Sequence, residues 1–298
     1  MIPQAKAAGN IDPDRDAVLT VRYCYDDEAI PGATFDFFHI ASVNENVEFA
    51  LTDTFRNYPV KASADSVEAW NQLALTLKGY AQADGLLPDY TVETNENGEI
   101  TIEKMKTGLY LVVARKCVVG EYTYTALPSI VCLPGMDDDD WNYHVTICPK
   151  LSREKNPEDE PGSKTVSRKV IKVWDDEGFD YFRPKQIVVH LLKDGEIYDT
   201  ITLNEEMNWE YYWEKLPECD ENLALIEWSV TEESIEYYDF TVEQVGITFV
   251  LDNHYKPEKH DEPHIPQTGL LWWPVPVLLC SGMVCLIIGV ARRRRSRG

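Results

Sequence analysis

Positive charge is what this sequence has least of: 28 Lys and Arg stand against 51 Asp and Glu in 298 residues, a net charge of −23. A polyanion or an anionic lipid surface would repel such a chain, so neither is expected as a partner, and no nucleic acid in particular. Enzyme signatures are missing too: there is no phosphate-cradling Gly loop, no HExxH pair and no GxSxG nucleophile elbow. His39 and His144 fall on strand-like stretches without a partner constellation. The seven cysteines lack the close paired spacing of a zinc site. Asp137 to Asp140 could hold Ca²⁺ but reads better as a solvated acidic loop. No metal, no cofactor and no turnover of an external substrate are therefore expected.

Long apolar runs are absent until the chain end. Leu270 to Ala291 is then uncharged and mostly apolar over 22 residues, and Arg292, Arg293, Arg294, Arg295 and Arg297 follow it. At ~1.5 Å rise per residue such a run spans a hydrocarbon core of ~30 Å as a transmembrane helix. The arginines hold residues 292–298 in the cytoplasm, which puts everything before residue 270 outside the cell. Contact with the membrane is expected only through this helix. Just before it, Ile265, Pro266, Gln267, Thr268 and Gly269 resemble the LPxTG cell-wall sorting signal of Gram-positive surface proteins, with Ile in place of Leu. The resemblance implies a sortase as partner, a cut between Thr268 and Gly269, and transfer of the Thr268 carboxyl to a peptidoglycan precursor or another pilin subunit. Ala5-Lys6-Ala7 fits the small-x-small rule of a signal-peptidase site, so residues 1–15 read as the end of a signal peptide and an N-terminal extension.

The rest reads as two β-units. In residues 16–151, Val18 to Tyr25 is β-branched and aromatic, and strand patterns recur at Ile30–Phe38, Glu99–Glu103, Gly108–Ala114, Tyr122–Thr125, Ser129–Leu133 and His144–Cys148. One helix is expected over residues 66–83. Its Val67, Trp70, Leu73, Ala74, Leu77, Tyr80 and Ala81 recur at three- and four-residue steps, with Asp65 or Ser66 as cap. Residues 152–164 are charged, Pro/Gly-bearing and free of apolar side chains, so they read as a linker. Residues 165–256 hold short strands at Lys169–Trp174, Gln186–Leu192, Asp199–Leu203, Trp209–Trp213, Ile226–Thr231 and Gly246–Leu251, and 257–264 reads as a stalk. The expected fold is all-β: two sandwiches in tandem, the first with a helical insertion, ahead of a C-terminal transmembrane helix.

The second unit resembles a collagen-adhesin B-type (Cna B) domain. The residues that carry the likeness are Lys172-Val173-Trp174-Asp175-Asp176, Arg183-Pro184, Ile187 to Gly195, Asn208-Trp209, Leu216-Pro217, Trp228 to Glu232 and Phe249 to Asn253. It implies an immunoglobulin-like (prealbumin-like) stalk module and a self-made Lys–Asn isopeptide bond. By position, Lys172 is the nucleophile, Asn253 the acceptor and Glu232 the catalytic acid, with Glu233 the alternative if the register slips by one. Burial would leave the amine neutral and the carboxyl protonated, as this reaction requires.

The first unit resembles the N-terminal domain of sortase-assembled pilins through Pro31 to Phe35, Gly108 to Val113 and Trp141 to Lys150. That likeness makes Lys150 a candidate acceptor of the next subunit's Thr carboxyl. Tyr23 stands where Lys172 does in the second unit. Cys24 with Cys148, and Cys117 with Cys132, are disulfide candidates. The implied role is a wall-anchored pilin subunit or stalk at the cell surface. The alternative is an adhesin that grips a host protein or glycan, with Tyr122 and Tyr124 as exposed contacts.

Overall fold

The structure is a computed structural model that describes residues 10–137, 140–158 and 161–256. In chain order the first unit holds β1 (Ala17–Arg22), β2 (Cys24–Tyr25), β3 (Glu28–Ala29), β4 (Thr34–Val43), β5 (Phe49–Leu51) and α1 (Val67–Ala83). It continues with β6 (Tyr90–Glu93), β7 (Glu99–Met105), β8 (Gly108–Ala114), β9 (Cys117–Val119), β10 (Tyr122–Ala126) and β11 (Ser129–Leu133). It ends on β12 (Gly135–Asp137), β13 (Asp140–Asn142), β14 (His144–Ile147) and β15 (Leu151–Lys155). The second unit holds β16 (Thr165–Asp175), β17 (Gln186–Lys193), β18 (Glu196–Asn204), β19 (Glu210–Pro217), β20 (Trp228–Glu232), β21 (Tyr238–Val245) and β22 (Thr248–Tyr255).

In the first unit β14-β1-β7 and β11-β8-β4-β5 are separate sheets, with β6 paired to β4 and a further sheet β15-β10-β9 beside them. Leu19, Val21, Ile100 and Ile102 from one sheet meet Phe35, Phe37, Tyr110, Val112 and Val131 from the other in a single apolar cluster. Gly108 to Ala114 is buried at all seven positions, because a second cluster covers its other face. There Leu109, Leu111 and Val113 join Leu73, Leu77 and Tyr80 of α1. A strand covered on both sides gains by being apolar throughout, which is what GLYLVVA is. Ser66 caps the helix, its hydroxyl accepting from the Ala69 amide at 3.1 Å.

The second unit pairs β19-β16-β22-β21 against β18-β17-β20. Its first and last strands, β16 and β22, run parallel and adjacent. Val170, Val189, Leu191, Phe249 and Leu251 of this sandwich belong to the same cluster as α1 and β8. The helix α1 therefore lies between the two units, touching β8 and β11 on one side and β20 and β21 on the other.

Three expectations change. The linker begins later, since its 152–155 portion lies in β15 and pairs with β10 from Tyr122↔Lys155 to Ala126↔Leu151. Consecutive exposed polar and charged residues on this edge strand hide the strand signal there. Val67 is 68% exposed, because it sits at the first helical position, ahead of the packed turns. Tyr238–Val245 is a full strand that the sequence reading passed over. Residues 1–9, within the stretch expected to end a signal peptide, and residues 265–291, expected to hold the sorting signal and the membrane span, lie outside the described residues. Among the described residues no helix is long and apolar enough to cross a membrane.

Leu77 is fully buried in the shared cluster. Leu77→Ala is expected to cost roughly 2–5 kcal/mol, read as a lower midpoint in urea unfolding. Because α1 belongs to both units, fluorescence and circular dichroism should report one common loss.

Candidate functional site

Strand alternation places Val170, Lys172 and Trp174 of β16 on the inner face, and Phe249, Leu251 and Asn253 of β22 beside them. The parallel register sets Lys172 opposite Leu251 and Trp174 opposite Asn253. Glu232, at the end of β20, comes in from the facing sheet. The three polar side chains thus meet inside an apolar sandwich. Lys172, Glu232 and Asn253 are 8%, 1% and 0% exposed.

The Lys172 ammonium donates to the carbonyls of Val173 and Leu251 at 3.0 and 3.1 Å and lies 3.6 Å from Glu232 Oε2. The Trp174 ring sits 4.6 Å from Nζ. Asn253 Nδ2 donates to Glu232 Oε1 at 2.7 Å. Asn253 Oδ1 and Glu232 Oε2 have no hydrogen-bond partner among the described residues. Burial pushes the Lys172 amine down to about 8 against the pull of Glu232, and pushes the Glu232 carboxyl up against the pull of Lys172. Both shifts favour the neutral pair, a free amine beside a carboxylic acid. Once protonated, Glu232 can donate to Asn253 Oδ1 after a half-turn of the amide, which satisfies the orphaned oxygen and polarises its C=O.

Glu233 points the other way: its side chain is 61% exposed and lies 3.5 Å from His190. The register therefore brings Glu232, and not Glu233, to the lysine.

A second polar group braces the site. Buried Asp176 accepts from the Arg183 guanidinium and from the Tyr238 hydroxyl at 2.8 Å, and these hydrogen bonds, Arg183 foremost, hold its carboxyl below the usual range. Trp174 packs edge-on against both Trp209 and Tyr238. The sequence reading quoted Asp176 and Arg183 only as marks of resemblance; the signal for their pairing was a buried-type Asp beside the Trp with an Arg a few residues on.

The other candidates are placed as follows. Lys150 is exposed, between β14 and β15, on the rim of a cleft of about 500 Å³ between the two units. Cys24, Cys117, Cys132 and Cys148 are all free thiols, which corrects the disulfide expectation. Cys117 packs with the first unit's sandwich core, whereas Cys132 packs with the α1 cluster on the other face of its sheet. For the other pair, the β1–β14 register sets Val21 opposite Ile147, so Cys24 lies two residues beyond the position opposite Cys148. Tyr124 is 7% exposed and Tyr122 half-buried with Arg153 over its ring, so neither is the open aromatic contact the adhesin alternative expected. Asp137 and Asp140 pair across a short hairpin, and no metal-binding group occurs among the described residues.

With this geometry in view, comparison with known proteins is direct. Residues 168–254 match the Cna protein B-type domain. Ninety-five residues, 32% of the chain, are 39% identical to a collagen adhesin of Staphylococcus aureus, and they span 8% of that protein's length. Among solved structures, a single B repeat unit of the collagen-binding surface protein of S. aureus is 16% identical, covering 82% of this chain and 99% of that one, with a TM-score of 0.30. The full-length major pilin SpaD of Corynebacterium diphtheriae is 16% identical over 82% of this chain and 65% of that one, with a TM-score of 0.33. Lys172, Glu232 and Asn253 all fall within the matched Cna B-type stretch.

Asn253→Ala removes the carboxamide and keeps Lys172 and Glu232 as a buried pair. Folded Lys172 releases its proton near pH 8, while the unfolded lysine holds one to about pH 10. The unfolded state therefore binds more protons across that window, and stability rises with pH through it. Urea unfolding of Asn253→Ala should show this rise, and the Asn253→Ala/Lys172→Met double variant should lack it.

Proposed function

We propose that this chain is a surface pilin or adhesin-stalk subunit whose Cna B-type unit closes itself with a Lys172–Asn253 isopeptide bond. The observation that carries the reading is the dry constellation of one amine, one carboxyl and one carboxamide. In water the amine and the carboxyl would be charged and all three groups inert toward one another; buried together they become nucleophile, acid and electrophile.

The neutral Nζ attacks Cγ of Asn253 while Glu232 donates its proton to Oδ1. Glu232 then relays a proton from the attacking nitrogen to Nδ2. As the Cγ–Nδ2 bond breaks and ammonia leaves, Oδ1 returns its proton to Glu232, so the Cγ–Nζ amide remains with Glu232 protonated as before. The reaction occurs once per molecule. It ties the first strand of the unit to the last, and a covalent tie across so long a loop contributes about 4 kcal/mol by the entropy argument used for disulfides.

Anchoring belongs to the same reading. The Ile265–Gly269 motif, the apolar run and the arginine cluster support sortase transfer to the wall. Lys150, exposed ahead of β15, supports a role as the amine that receives the next subunit.

Intact mass of the purified full chain should fall short of the sequence mass by one ammonia, with or without reductant. Lys172→Ala, Glu232→Ala and Asn253→Ala should each restore the full mass and lower the thermal midpoint by several degrees. Full mass in the unaltered chain would end the isopeptide reading. Separately, wall extracts should contain a ladder of covalent polymers that Lys150→Ala collapses to single subunits, and an unchanged ladder would remove Lys150 from this role.

A further inference from the structure

The second sandwich has an open side, where one sheet ends on β20 and the other on β21. Edge strands ordinarily leave their outer amides to water. Here a segment of the first unit occupies that side. The Phe240 amide donates to Pro59 O at 2.9 Å and the Val242 amide to Thr76 Oγ1 at 3.0 Å. Gly79 of α1 lies against β20 so closely that a Cβ there would stand 3.2 Å from Thr231 Cβ and 3.3 Å from Val230 O. The Tyr80 ring meets Phe240 edge-on at 5.8 Å, and Lys78, buried in α1, pairs with Glu227.

These contacts fall on the neighbours of the reacting groups. Phe240 is the cross-strand partner of Asn253. Thr231 immediately precedes Glu232. Although β20 is an edge strand, Trp228, Val230, Thr231 and Glu232 are all 3% exposed or less. Burial foremost, and then the nearby Glu232 charge, raises the Tyr80 hydroxyl above its usual range.

We propose that the first unit is a positioning element for the bond made in the second. By docking Pro59 to Tyr80 along the open side, it fixes β20 and β21 and keeps water from Glu232 and Asn253. Gly79 and Thr76 are positioning residues: neither touches the reacting atoms, but Gly79 sets β20, which carries Glu232, and Thr76 sets β21, which pairs with the strand that carries Asn253. The inference rests on the isopeptide reading and adds that the bond forms at full rate only after the units have docked.

The test follows ammonia loss by intact mass in the full chain, made in a detergent-supplemented cell-free reaction. Wild type, Gly79→Leu and the near-isosteric Thr76→Val are compared at a temperature well below each variant's melting midpoint, where reduced stability alone leaves the rate unchanged. Gly79→Leu is expected to slow the loss about tenfold or more, equivalent to ~1.4 kcal/mol in the barrier, and Thr76→Val by a few-fold, with both folded by circular dichroism. If Gly79→Leu fails to fold, Thr76→Val decides alone. Wild-type rates in the folded variants would overturn the positioning role. A wild-type chain that never loses ammonia would instead overturn the isopeptide reading.

Discussion

A lysine ammonium removed from water is among the costliest things a fold can hold, and the second unit is arranged around one. Lys172 reaches the core between two carbonyls, over an indole and opposite a carboxyl. That surrounding is polar enough to admit the amine and too dry to keep it charged. The parallel pairing of β16 with β22 follows from the same need, since it lays Lys172 and Asn253 on one inner face while β20 brings the acid from the opposite sheet. Each strand of that sandwich that holds Lys172, Glu232 or Asn253 is therefore fixed by a polar as well as an apolar requirement.

The helix α1 is the other constraint. A sheet covered on one face by its sandwich partner and on the other by a helix cannot carry polar alternation, and Gly108 to Ala114 carries none. The same helix then presents Thr76, Lys78 and Gly79 to the second unit. Two of these are polar: Thr76 accepts from the buried Val242 amide, which an apolar residue would have orphaned, and buried Lys78 pairs with half-buried Glu227. The join between the units is thus built as a core, with hydrogen bonds completed inside it.

Most of the strands were legible, because β-branched and aromatic alternation marks them directly, and the helix was legible from its three- and four-residue steps. The partner of that helix was not. Leu73, Leu77 and Tyr80 say that a face is buried but not against what, and Thr76 and Gly79 read as interruptions of the stripe. The strand Tyr238–Val245 escaped notice because its YDFTVEQV pattern mixes buried Asp239 with exposed Gln244. Lys172, Glu232 and Asn253 were legible through resemblance, with the one-residue ambiguity between Glu232 and Glu233 left to the register. Sequence spacing likewise left open on which face of its sheet Cys132 lies, and how far Cys24 stands from the position opposite Cys148.

The parallel ladders at the ends of both units, β1 with β14 and β16 with β22, have a mechanical meaning. Tension along the chain enters the second unit on β16 and leaves on β22, so it drags the two strands past each other lengthwise. The seven register pairs from Lys169↔Thr248 to Asp175↔His254 then resist in shear, all at once, instead of peeling apart singly as a hairpin would. A fibre strung from such units would yield last where its first and last strands lie side by side.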